Sequence, residues 1–119
     1  MINARQGRSN FFVIIKHKGV VQMKMVFIIY AAYFDERITD ALKQSGYKAY
    51  TKIHDVTGEG EESEPKLGTH YSPGKNKTIW MALPDDEVTS LIGLIRKIKA
   101  EHPGAGLRAF TFPLAQEKV

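Results

Sequence analysis

Met25 to Tyr33, MVFIIYAAY, is a run of nine residues without a charge and rich in β-formers. Such a run reads as the central strand of a sheet, and the rest of the chain has to be arranged around it. With 119 residues the chain suffices for one domain and a single modest core.

The segments that follow supply the neighbours. Asp35 to Ser45 predicts a helix, with Asp35 as N-cap, Ile38, Ala41, Leu42 and Ser45 on one face, and Gly46 as its stop. Tyr47 to Val56 alternates and is rich in β-branched and aromatic residues, so it predicts a second strand. Lys77 to Leu83 predicts a third. Pro84-Asp85-Asp86-Glu87 opens a second helix with acids at the end its dipole favours. Val88, Leu91, Ile92, Ile95 and Ile98 form its apolar stripe, and His102-Pro103-Gly104 ends it. Arg108 to Leu114 predicts a fourth strand, with Pro113 marking it as an edge.

The order is β-α-β-β-α-β, an α+β, ferredoxin-like arrangement: an antiparallel sheet with two helices on one face. Val26, Ile28, Tyr30, Tyr50, Ile79, Phe110 and Phe112 are expected on the other face, too many apolar groups to leave wet, so oligomerisation would cover them. Trp80 is expected in the core or at a subunit interface. Residues 1–22 read as an N-terminal extension to a domain over 23–119. Its FFVIIKHKGVV is apolar enough for an extra strand, with Lys18-Gly19 turning it back; the other reading is a translation start at Met23 or Met25.

Charge and cysteine count exclude several classes. The net charge of +4 divides into +5 over residues 1–24, from Arg5, Arg8, Lys16, Lys18 and Lys24, and −1 over the remainder, with 12 bases and 13 acids. A nucleic-acid surface clusters its bases on the folded body, so no nucleic-acid partner is expected. The absence of cysteine excludes disulfides and thiol chemistry. No apolar run reaches the roughly 20 residues of a membrane span, and a cytoplasmic location is the expectation.

Thr57 to Asn76, TGEGEESEPKLGTHYSPGKN, joins the second and third strands with far more residues than a hairpin needs. Long connections of this kind are functional or disordered. Glu59, Glu61, Glu62 and Glu64 read as solvation of a mobile loop. Gly68, Thr69, His70, Tyr71 and Asn76 belong to an acid-free stretch suited to recognising a partner. His17, His54, His70 and His102 match no zinc spacing, although His54 and His70 could meet if the loop folds back; no metal site is assigned. No nucleophile–base constellation is present, so no catalytic residue is assigned.

With MKMVFIIY, SGYKAYTKIHDVTGEG and the final Arg108-to-Pro113 strand in place, the chain over about residues 23–116 resembles the PII-like signalling family: trimeric ferredoxin-like proteins with a long T-loop between strands two and three. The resemblance implies a homotrimeric regulatory or sensor protein, not an enzyme. It would bind a small, anionic ligand in clefts between subunits and signal to a protein target through the T-loop. It also implies that Lys52, Gly58, Gly60 and Arg108 meet at the ligand, with the glycine amides and the two cations as donors. The cofactor stays open. Relatives hold adenine nucleotide at a Gly-Asp-Gly-Lys turn, where this chain has Ala105-Gly106-Leu107-Arg108. Leu107 there would obstruct phosphate, so weak ATP binding or a smaller anion is expected. A small ferredoxin-like lyase or isomerase and a metal-binding trimer resembling copper-tolerance proteins are the alternatives.

Overall fold

The computed structural model of the chain describes residues 22–59 and 74–115. β1 (Met23–Ala31) lies inside a four-stranded antiparallel sheet, between β3 (Asn76–Pro84) and β4 (Arg108–Pro113), as its apolar run requires. β2 (Thr51–Val56) is the edge beyond β3, giving the order β2-β3-β1-β4. Two helices, α1 (Asp35–Gln44) and α2 (Asp85–Glu101), complete the β-α-β-β-α-β sequence. The expected extra strand falls within residues 1–21, outside the described residues.

Register decides which apolar residues reach the helices. Ile28 sits opposite Ile79 and Val26 opposite Met81, and all four are buried beneath Ile38 and Leu42 of α1 and Leu91 and Ile95 of α2. This corrects the expectation for Val26, Ile28, Tyr30 and Ile79, which lie under the helices and not on the uncovered face. The face that the described residues leave uncovered carries the opposite parity. Phe27 pairs with both Trp80 and Phe110, and Met25 with Phe112. Phe27 and Trp80 stack at 4.6 Å between ring centroids, and Phe110 is 56% exposed. A run apolar at every position has no alternation from which to read parity.

The start of α1 departs from expectation, and its end at Gly46 agrees with it. Asp35 is not the N-cap of α1: Phe34 holds that position, no side chain caps it, and Asp35 is the first helical residue. The C-terminus closes with a Schellman pair, Gly46 N–H donating to Lys43 O at 3.0 Å and Tyr47 N–H to Leu42 O at 2.8 Å. Gly46, at φ +93°, takes the left-handed turn. Tyr47 is thereby drawn into the core, which is why β2 begins at Thr51 and not at Tyr47. β2 is also bulged between Ile53 and Val56, where Asp55 takes φ +57°.

Candidate ligand-binding site

Sheet alternation puts Lys52 of β2 on the helix side, because it pairs with Ile79. There its Nζ donates to Asp35 Oδ1 at 2.7 Å and to Thr39 Oγ1 at 2.9 Å, both on α1. Tyr30 of β1 donates its hydroxyl to the same Asp35 oxygen at 2.6 Å. Lys77 of β3, opposite Tyr30, approaches Asp35 Oδ2 at 3.6 Å. One carboxylate thus ties the start of α1 to three strands.

The electrostatics follow. Burial pushes the Asp35 carboxyl upward, but hydrogen bonds from Lys52 and Tyr30 and the charges of Lys52 and Lys77 outweigh it, holding the group below its usual value. Burial first, and then donation to Asp35 and its negative charge, raise the Tyr30 phenol far above the ordinary range, so it stays a neutral donor. Asp35, Lys77 and Tyr30 were not foreseen as functional. The signal was present: a tyrosine inside a buried strand needs a partner for its hydroxyl, and an acid five residues on is within reach.

Arg108 opens β4 opposite Ile29, on the uncovered face, with its guanidinium donating to the Leu107 carbonyl at 3.0 Å. Within one chain Lys52 and Arg108 therefore lie on opposite faces, in the two edge strands. Three strand spacings, roughly 14 Å, separate those strands. A single subunit does not bring them together. Gly58 and Asn76 do meet: a Cβ at Gly58 would stand 3.8 Å from Asn76 Nδ2. Gly60, Gly68, Thr69, His70 and Tyr71 fall outside the described residues.

The turn before β4 is built differently from expectation. Pro103–Ala105 forms a 3-10 turn, and Gly106 follows in the left-handed region at φ +65°. Ala105 and Leu107 are both buried, so Leu107 spends its side chain on the core and does not stand on the turn's outer surface. Tyr33 pins the turn by donating its hydroxyl to Gly104 O at 2.8 Å. Arg37 reaches His102 Nε2 at 3.0 Å, which ties α1 to the same turn. His54 is exposed on β2, and no three His, Asp or Glu residues gather into a metal-holding group among the described residues.

Comparison with known proteins puts this architecture in context. The family model described as Nitrogen regulatory protein P-II matches residues 23–119. A GlnB-like protein 1 of the nitrogen fixation nifHD region of Methanothermococcus thermolithotrophicus is 39% identical over 75 residues, covering 62% of this chain and 70% of that protein. The nifHD2-region GlnB-like protein 1 of Methanosarcina barkeri is 36% identical over 74 residues, covering 61% and 70%. Among solved structures, CPII of Thiomonas intermedia K12, a nitrogen regulatory PII-like protein bound to ADP, AMP and bicarbonate, superposes with a TM-score of 0.61 at 19% identity, over 82% of this chain and 97% of that one. A PII-like signaling protein of Thermus thermophilus gives a TM-score of 0.53 at 18% identity, over 79% and 88%. At those identities the structural likenesses show the fold.

Proposed function

The chain belongs to the nitrogen regulatory protein P-II family and is a PII-like regulatory protein, and we propose on that premise that it works as a homotrimer with ligand clefts between subunits. Members of the family are regulators, not enzymes, which speaks for a signalling role over the lyase, isomerase and copper-tolerance alternatives. The observation that carries the trimer is the uncovered sheet face. Phe27, Trp80, Phe110 and Phe112 make an aromatic patch on a sheet whose other face is fully used by helices. Apolar surface of this kind is what subunit contacts bury.

The ligand in this reading is an anion at Arg108 and the turn before it, in a cleft completed by Lys52, Gly58 and Gly60 of a neighbouring copy. Buried Leu107 leaves the turn's outer surface to backbone and to Gly104 and Gly106, which favours close approach of phosphate. An adenine nucleotide is therefore the first candidate, and a smaller anion the second; CPII was solved with both kinds. Target recognition goes to the sequence between β2 and β3, including Gly68, Thr69, His70 and Tyr71, together with Asn76 at the start of β3, and a cytoplasmic location goes with this reading. Light scattering should return three times the chain mass at micromolar concentration. Calorimetry with ATP, ADP, AMP and sodium bicarbonate should find a ligand whose affinity falls in Arg108→Ala. A monomer sinks the trimer, and an affinity unchanged by Arg108→Ala removes that residue from the site.

A further inference from the structure

Two ammonium groups meet one carboxylate where α1 begins, so the cluster of Asp35, Lys52 and Lys77 holds one positive charge that Asp35 does not balance. Tyr30 stays neutral and returns nothing to that balance. Glu36, the next acid on α1, is exposed, and the positive end of the α1 dipole adds to the same field.

The two lysines are served unequally. Lys52 has two short contacts, to Asp35 and Thr39. Lys77 is only 21% exposed, yet its ammonium has a single ionic contact among the described residues, 3.6 Å from Asp35 Oδ2, and no hydrogen-bond acceptor there. An ammonium carries three donors, and the Lys77 nitrogen still reaches solvent, so donors that Asp35 does not take face water and stay open to a ligand. A bound oxyanion would supply the unbalanced charge and take the place of that water as acceptor.

We propose that Lys77 is an anion-binding residue, taking a small oxyanion of the bicarbonate or inorganic phosphate class beside Lys52, with Asp35 as the built-in competitor for the same two ammonium groups. The inference deepens the anionic-ligand reading above and names a different group: Lys77, on the helix side of the sheet, not Arg108 on the other. A small ligand fits the limited exposure of Lys52, at 15%, and Lys77. Because Asp35 competes, occupancy loosens its hold on β2 and β3, the two strands that flank residues 57–75. The site would thus report its occupancy to the base of that segment.

The test is calorimetry at fixed ionic strength, with inorganic phosphate, sodium bicarbonate and ADP titrated into the wild type, Lys77→Met and Asp35→Asn. Phosphate or bicarbonate affinity should fall at least about tenfold in Lys77→Met and rise about tenfold in Asp35→Asn, since a like charge beside the anion has been removed. Unchanged oxyanion affinity in Lys77→Met, no gain in Asp35→Asn, or no oxyanion binding by either Asp35→Asn or the wild type would each overturn the proposal. Should Asp35→Asn fail to fold, nitrogen-resolved NMR of the wild-type ammonium groups decides: the Lys77 resonance must move more than the exposed lysines on phosphate addition. ADP separates the two readings. Binding of ADP that depends on Arg108 but not on Lys77, without any oxyanion effect, leaves the nucleotide reading standing and removes this one. Oxyanion binding at Lys77 without ADP binding does the reverse.

Discussion

Replacing Gly106 and Gly93 by alanine, one at a time, should change stability in opposite directions although the chemistry is identical. Gly106 has φ +65°, and an added Cβ would meet nothing closer than the Ala31 amide nitrogen at 3.9 Å, an ordinary contact. The penalty is therefore conformational and not steric. An L-residue in the left-handed region costs about 1–2 kcal/mol. Restricting the unfolded chain returns about 0.4–1 kcal/mol, so Gly106→Ala should destabilise by about 1 kcal/mol net. Gly93 lies exposed in the middle of α2, and its added Cβ would meet nothing within 4 Å. There alanine should stabilise by about 1 kcal/mol through helix propensity alone. The pair should span about 2 kcal/mol, which for a domain of this size separates their melting temperatures by roughly 6–12 °C. Urea and thermal melts followed by circular dichroism are suitable, at one protein concentration because assembly would shift the midpoint. Equal signs would refute the reasoning, and so would a Gly106→Ala loss well above about 2 kcal/mol, which would mean a steric clash that the geometry does not contain.

Given the proposed trimer, Phe27→Asp should yield monomers by light scattering while α1 and α2 keep their helical signal, because Phe27 faces away from the helices; a trimer retained in this variant would show that another surface assembles it. Trp80 is the single tryptophan, so its emission should shift to the red in the same variant. Ile28→Ala removes a fully buried side chain and should cost about 2–4 kcal/mol without changing the subunit count first; loss of assembly at full stability would contradict its place under the helices. The Asp35 carboxyl is held below its unfolded value, so the stability it confers is complete above about pH 4–5 and is lost as pH falls through the lowered folded value. The acid limb of the wild-type stability curve should accordingly be steeper than that of Asp35→Asn; parallel curves would place the acid sensitivity elsewhere.

The order of elements was legible because each carries its own local signature. The acid-led start of α2, its Val88-to-Ile98 stripe and the uncharged run of β1 are consequences of nearest neighbours along the chain. Gly46 as helix stop is of the same kind, since only the C′ position of α1 needs a left-handed residue there. The candidate site was less legible. Lys52 could be picked out as a cation near the strand end, but whether its ammonium was free for a ligand depended on Asp35 and Thr39, 17 and 13 positions earlier, on the helix packed against the same face of the sheet. Arg108 could be picked out as the base leading the last strand, yet its distance from Lys52 follows from strand order.

What the sequence by itself determined is the element sequence, the class, and the length of chain between β2 and β3. Propensity, periodicity and capping act over a few residues and are read directly. Tertiary structure alone decided the parity of β1. Val26, Ile28 and Tyr30 go beneath the helices and Met25, Phe27 and Ile29 go to the open face, because the register with Ile79 and Met81 fixes it and an all-apolar run is indifferent to the choice. It likewise decided that Leu107 packs inward and that Asp35 serves two lysines and a tyrosine instead of capping its own helix. Each of these is a competition between a local preference and a contact made over long sequence separation, and in this core the long-range contact prevailed.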